Sequence, residues 1–292
     1  MGILAVRRYP TKLFLELADH TYVECGTGKK GWACWGGKTG GTALRKAPGS
    51  SSRADKIAQP NEKAGIKCYL INGVCHQAAN RILLPAGITV RGARGYSISE
   101  ALFGPYGRIG FWTCKSPFKK YSSTSGDLPE CVPTKKQAKA MGLFKKRSAD
   151  DMADWQYIQK TLAIYREGEK QIKMKSLQLS DAMQLQVRLF QHMVDFQLGP
   201  MVDKKLNTKI LKVREATEKK IEKTQDGITK VKTDMREYAE ALNKITERFQ
   251  DEMANLLSAE AYKALFDLKP EERIVLADPA ILSKEYKVDL KY

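Results

Sequence analysis

The sequence predicts an α+β fold in two unlike halves: a small mixed α+β domain over residues 1–133, followed by a long antiparallel α-helical hairpin, a coiled coil, over 148–268. Three observations carry that expectation. Residues 1–150 hold 25 Lys and Arg against 9 Asp and Glu, a net of +16, whereas residues 151–292 hold 25 against 24. All six cysteines (Cys25, Cys34, Cys68, Cys75, Cys114 and Cys131) fall in the first half. In the second half, apolar residues and an occasional threonine recur at steps of three or four from Leu206 to Leu256, the rhythm of a helix seam. A length of 292 residues accommodates about two domains.

Taken in order, Leu13 to Leu17 reads as a short strand or a helix start, and His20 to Glu24, rich in β-formers, as a strand. Gly26 to Gly41 is dense in glycine and suits tight turns and hairpins. Within it, Gly37-Lys38-Thr39 is followed by Gly40-Gly41, which does not open a helix, so a phosphate-cradling loop is disfavoured. Pro48 to Ser52 reads as a turn or loop and Ile66 to Ile71 as a second strand. Asn72-Gly73 is a turn signal, and Val74 to Leu84 has helical apolar spacing stopped by Pro85. Thr89 to Arg91 and Arg108 to Cys114 read as further strands, Pro117 to Pro133 as an exposed loop, and 134–147 as a basic linker. Ser148 resembles a helix cap, with Asp151 three residues on. Two helical arms of about 50 residues, each roughly 75 Å long, then run to Leu198 and from Asp203 to Leu256, divided at Gly199-Pro200. Pairing of the arms, or dimerisation, would bury the seam. Ser258 caps a last helix ending near Leu268, and 269–292 reads as an irregular tail.

Composition narrows the function classes. No apolar run approaches the ~18 residues of a membrane span. The N-terminus carries its charge after its apolar residues, the wrong order for a secretory signal. Val6 stands where a myristoylation signal has Ser or Thr. The expected location is cytoplasmic, or outside by a route without an N-terminal signal peptide. Free thiols are then the default over disulfides such as Cys25–Cys34 or Cys114–Cys131. No Cys-x-x-Cys occurs, which disfavours a zinc site, and no cofactor is implied. The basic half suits an anionic polymer or surface as partner, although no known nucleic-acid module is present.

The segment from Tyr69 to Leu83 carries the chemistry. A strand leads through Asn-Gly to Cys75 in the first turn of a helix. Free N–H groups there favour a thiolate and can hold an oxyanion during acyl transfer. A thiol nucleophile needs a base, and the chain has three histidines. His192 lies in the helical half, and His76, adjacent to Cys75 on a helix, points about 100° away. His20, on the strand, is the best candidate. Glu24, Asp19 or Asp55 would orient its ring; Glu24 shares a strand face with His20 and Tyr22. Aromatic residues in Trp32 to Gly41, with Tyr96, Tyr106 and Trp112, are candidates for lining a groove.

Histidine on an early strand, a Gly-rich β region and then cysteine at a helix start resembles the circularly permuted papain-like fold. That group includes lecithin–retinol-acyltransferase-like proteins and permuted relatives of NlpC-type cell-wall peptidases. The resemblance rests on His20-Thr-Tyr-Val23 and Asn72-Gly-Val-Cys75-His-Gln77 and covers residues 10–115, within the N-terminal half only. It implies Cys75 as nucleophile and His20 as base. The family's third polar residue has no clear counterpart here, and Trp32 to Trp35 lies near its place. The expected function is thiol-dependent hydrolysis of an amide, peptide or isopeptide bond through an acyl-enzyme on Cys75, with a peptide, cell-wall peptide or protein as substrate. The alternatives are an acyltransferase on the same thiol and a non-catalytic basic scaffold. The hairpin would serve as an arm for a protein partner or for dimerisation.

Overall fold

A computed structural model describes residues 2–9, 17–25, 31–33, 40–58, 64–66, 68–109, 149–174, 178–230 and 235–290. The architecture is α+β, one small antiparallel sheet with helices packed on and beyond it. The strands are β1 (Gly2–Tyr9), β2 (His20–Cys25), β3 (Gly31–Ala33) and β4 (Thr42–Gly49), in the order β3-β2-β1-β4. β1 is central to the pairing: Val6 sits opposite Val23 of β2 and Arg45 of β4, with a register shift between Val6 and Arg7. Val6 and Val23 are buried, and the apolar face that they mark receives the helices.

Three short helices follow: α1 (Ser51–Ala58), α2 (Cys75–Leu83) and α3 (Tyr96–Phe103). The helix expected over Val74 to Leu84 is α2; Leu84–Ala86 continues it as a 3-10 turn around Pro85. All nine residues of α2 are buried, so it is the central post of this half and packs on β2, α1 and α3. The expected strand over Ile66 to Ile71 is not formed. Those of its residues that are described run through turns, with Leu70 at φ 64° and a lone bridge between Tyr69 and Gly73. Thr89 to Arg91 is likewise not a strand. An apolar run there satisfies its backbone through side chains instead, as where Asn80 Oδ1 accepts from Val90 N–H at 2.8 Å.

The helical half also departs from the expectation of two 50-residue arms. It holds α4 (Ala149–Lys173), α5 (Leu179–Gln197), α6 (Lys204–Lys230) and α7 (Met235–Leu256). Each packs antiparallel to the next, as Glu167–Arg188, Gln191–Asn207 and Gln225–Tyr238 show. The apolar seam keeps its phase from α6 into α7, so periodicity could not reveal that these are two separate antiparallel helices. Ser258 caps α8 (Ala259–Phe266), accepting from Ala261 N–H at 3.2 Å. The expected irregular tail contains α9 (Pro279–Tyr286), started by Asp278.

The two halves share one apolar core, in which Leu4, Val23 and Leu70 join Ile210, Met235 and Leu282. A buried ionic cluster adds to the joint. Arg108, just after α3, meets Glu218 and Glu222 of α6, and Arg214 pairs with Glu218 at 2.7 Å while donating to the Ala101 carbonyl at 2.7 Å. The pull of the paired guanidiniums holds the Glu218 carboxyl below its ordinary range although burial opposes it. No helix among the described residues is long and apolar enough to cross a membrane. The expected features at Leu13 to Glu16, Gly26 to Lys30, Cys34 to Thr39 and Gly110 to Ser148 lie outside the described residues; they include Trp35, Trp112, Cys34, Cys114 and Cys131, the basic linker and the Ser148 cap.

Candidate functional site around Cys75

Cys75 is the first residue of α2. Val74, at the cap position, has no side-chain acceptor, and only the reciprocal contact is made: Gln77 Oε1 accepts from Val74 N–H at 3.0 Å. The first turn therefore keeps N–H groups without a side-chain cap, and the His76 N–H acts on the Cys75 sulfur. β2 lies directly against this end of the helix. The thiol donates to the Asp19 carbonyl at 3.9 Å, and the N–H and hydroxyl of Thr21 lie beside the sulfur. Cys75 thus abuts both neighbours of His20 in the chain.

His20 is buried, 3% exposed, and its ring feels the charge of His76. Strand alternation groups it with Tyr22 and Glu24, and groups Thr21 with Val23 and Cys25 on the α2 side. His20 adjoins the site through its backbone, as the first residue of β2 between the two residues that touch the thiol, while alternation puts its ring on the strand face away from α2. Glu24 is not brought to the imidazole: its carboxylate meets Arg7 at 3.4 Å, four residues along the strand. Asp55, on α1, accepts from the Trp32 indole at 2.9 Å. Asp19 directly precedes His20, and its charge acts on the His76 ring. Its side chain is buried between Arg8, at 2.7 Å, and the Arg94 N–H, at 2.9 Å.

His76, expected from helical spacing to point away from Cys75, instead reaches the same Asp19 carbonyl as the thiol. Nε2 lies 2.9 Å from the Asp19 carbonyl, which can only accept, so Nε2 carries a proton, and Nδ1 lies 2.8 Å from the Ser99 hydroxyl, which itself donates to the Tyr96 carbonyl at 2.8 Å. Both ring nitrogens are therefore engaged. Gln77 completes the net by donating to Ser99 Oγ and to the Gly104 carbonyl. His192 lies elsewhere, stacked on Tyr157 at 4.5 Å.

Burial governs the titration of the site. It pushes the Cys75 thiol up to about 11, with the Asp278 charge adding to it and the Thr21 and His76 donors opposing it. Burial likewise lowers His20 to about 4, helped by the charge of His76, and lowers His76 to about 4. The expected depressed thiol is thus overturned: N–H donation at the helix end is outweighed by loss of water around the sulfur. The pair rests at neutral pH as thiol and neutral imidazole. In that state an imidazole accepts the thiol proton as the sulfur attacks, rather than beforehand.

Sequence reading missed Thr21, Ser99, Gln77 and Asp278. Only Gln77 had a local signal, its place three residues after Val74. The other three reach the site through tertiary packing. Among the described residues no group of three or more His, Cys, Asp or Glu is placed to hold a metal ion. A surface hollow of about 520 Å³, lined by Arg91, Ser97, Glu260, Lys263 and Asp267 among others, involves none of the residues around Cys75. No family model matches the chain, and neither a curated protein nor a solved structure matches it.

Proposed function

We propose that the protein is a thiol-dependent hydrolase of amide or peptide bonds, in which Cys75 forms the acyl-enzyme and His20 moves the proton. The single observation that carries this reading is the seating of the Cys75 sulfur: first residue of a buried helix, its own N-terminal amide aimed at it, against the strand backbone on either side of His20. Attack by sulfur on a carbonyl carbon places negative charge on the carbonyl oxygen. The uncapped N–H groups of α2 and the Thr21 donors supply positive edges for that charge. The thiol proton passes to His20 once its ring turns to the α2 face, and from there to the leaving amine, and water releases the acyl group by the reverse sequence. The resemblance to the permuted papain-like group supports the same assignment, with an α+β domain carrying the site and the antiparallel helices as an accessory arm. Asp19 replaces Glu24 as the better-placed carboxylate of the three considered. The basic first half favours a substrate on an anionic surface, cell-wall peptide included.

A second reading, a non-catalytic binding scaffold, is favoured by one observation: Cys75 is only 6% exposed. Turnover of a fluorogenic peptide library separates the two. On the enzyme reading Cys75→Ala abolishes turnover with an unchanged melting curve, and His20→Ala lowers kcat by at least a hundredfold. Equal turnover by native and Cys75→Ala chains removes the reading.

A further inference from the structure

The chain's own C-terminal segment bonds to Leu17 and Ala18, just before the strand that meets Cys75, and the Asp278 charge at its end reaches the thiol. Residues 274–278 run beside the start of β2, with Ile274, Leu276 and Ala277 buried in the core and the main chain hydrogen-bonded along its length. Ile274 is gripped on both sides by one side chain: its N–H donates to Gln250 Oε1 at 2.8 Å, and Gln250 Nε2 donates to its carbonyl at 3.0 Å. The Val275 carbonyl accepts from Ala18 N–H at 3.2 Å, and Leu17 and Val275 form a parallel β-bridge. The Tyr69 hydroxyl then serves two groups at once, donating to the Leu276 carbonyl at 2.8 Å and accepting from Asp278 N–H at 2.9 Å. The side chains fit small surfaces. A Cβ on Gly95 would come within 2.8 Å of both Ile274 and Ala18, so the glycine is what lets the three stretches meet.

These groups are continuous with the site. Ala18 precedes Asp19, whose carbonyl receives the Cys75 thiol, and Tyr69 opens the turn that delivers Cys75. Binding by main-chain hydrogen bonds alongside a strand is the way proteins take extended peptides of varied sequence.

We propose that residues 274–278 occupy a groove made to hold an extended peptide beside Cys75, and that this C-terminal segment acts as an internal strap that keeps the site closed. The substrate class, an extended peptide held by its backbone, rests on the reading of Cys75 as a nucleophile; the occlusion does not. The ends of the strap are fastened separately. Glu272 pairs with Arg94 at 2.8 Å and accepts from Lys269 N–H at 2.7 Å, and Asp278 caps α9 through the N–H groups of Ala280 and Ile281. Releasing those fastenings frees the strap without altering Gln250, Ala18 or Tyr69.

The test is alkylation by iodoacetamide, followed thiol by thiol by peptide mass spectrometry, with amide hydrogen exchange read on the same samples. In the full chain carrying Glu272→Ala and Asp278→Ala, Cys75 is expected to react at least tenfold faster than in the chain carrying Asp278→Asn alone, which removes the same charge beside the thiol but keeps the cap acceptor. An excess of a synthetic peptide matching residues 271–280 is expected to slow it again. Faster exchange at 274–278 with Cys75 labelling unchanged, or labelling indifferent to the peptide, overturns the strap. The native chain offers a check free of substitutions: Cys75 alkylation and exchange of the Ile274 and Asp278 amides should share one dependence on urea below the unfolding transition. Labelling of Cys75 only through global unfolding overturns the proposal. Faster labelling without any peptide hydrolysis leaves the strap standing and removes the enzyme, so the two failures are distinct.

Discussion

At the scale of the residue, the site is a contest between desolvation and local donors, and at Cys75 desolvation wins. The consequence is directional. Alkylation of Cys75 should remain slow through neutral pH and climb toward the raised thiol value of about 11, where an activated thiolate would already have reached its plateau. The histidines set the acid side. Burial lowers His20 and His76 to about 4 in the folded chain from the ordinary 6.5, so the unfolded chain takes up their protons first. Their contribution to stability is whole above about pH 6.5 and is lost as pH falls toward 4. Cys75 acts at the other end: with its folded value raised from 9.0, its contribution is present below pH 9 and is lost as pH rises through about 11. Urea midpoints measured from pH 4 to 8 should therefore rise with pH and then level off, and His20→Phe should flatten the rise. His76→Ala should destabilise by about 3 kcal/mol, because it empties a buried volume and leaves the Asp19 carbonyl and Ser99 without their ring partner.

At the scale of the element, α2 was readable and its surroundings were not. Asn72-Gly73, apolar spacing from Val74 and the stop at Pro85 are local signals, and they fixed the place of Cys75 within one residue. The turns before it were hidden. Ile66 to Ile71 reads as a β run, yet Leu70 is held at φ 64° by contacts from far along the chain: Tyr238 Oη donates to the Leu70 carbonyl at 3.1 Å and Gln225 Nε2 to the Ile71 carbonyl at 2.9 Å. A local reading has no access to partners more than 150 residues away. The same holds for Arg108, which local reading placed in a strand and which instead neutralises Glu218 and Glu222. Arg108→Met should destabilise by about 3–5 kcal/mol, since it leaves two carboxylates facing only Arg214. Adding Glu218→Leu and Glu222→Gln should recover a substantial part of that loss in denaturant titrations, as expected when the penalty is an unmatched buried charge and not lost packing.

At the scale of the whole molecule, sequence asymmetry suggested separable parts, and packing joined them. Charge and cysteine content do divide near residue 150, yet the core runs from Leu4 through Ile210 to Leu282, and α6 and α7 grip the turn that delivers Cys75. Composition records what a surface faces, not which surfaces meet, and so it could not report the joint. Denaturant unfolding followed by far-ultraviolet dichroism and by tryptophan fluorescence should give coincident single transitions; separate midpoints would show that the halves melt independently. The basic first half should hold the protein on a polyanion column, with retention falling steeply as salt is added. Retention insensitive to salt would remove the anionic partner from the account.

The measurement that bears most directly on the central claim is the mapping of an electrophilic peptide probe, such as a peptide vinyl sulfone, across the six thiols of the full chain. Nucleophilic catalysis predicts that the adduct forms on Cys75 ahead of Cys25, Cys68 and the remaining three, although Cys25 is the more exposed of the described thiols, and that His20→Ala abolishes it. An adduct spread according to exposure, or one on Cys75 that forms as fast without the imidazole, would contradict the account.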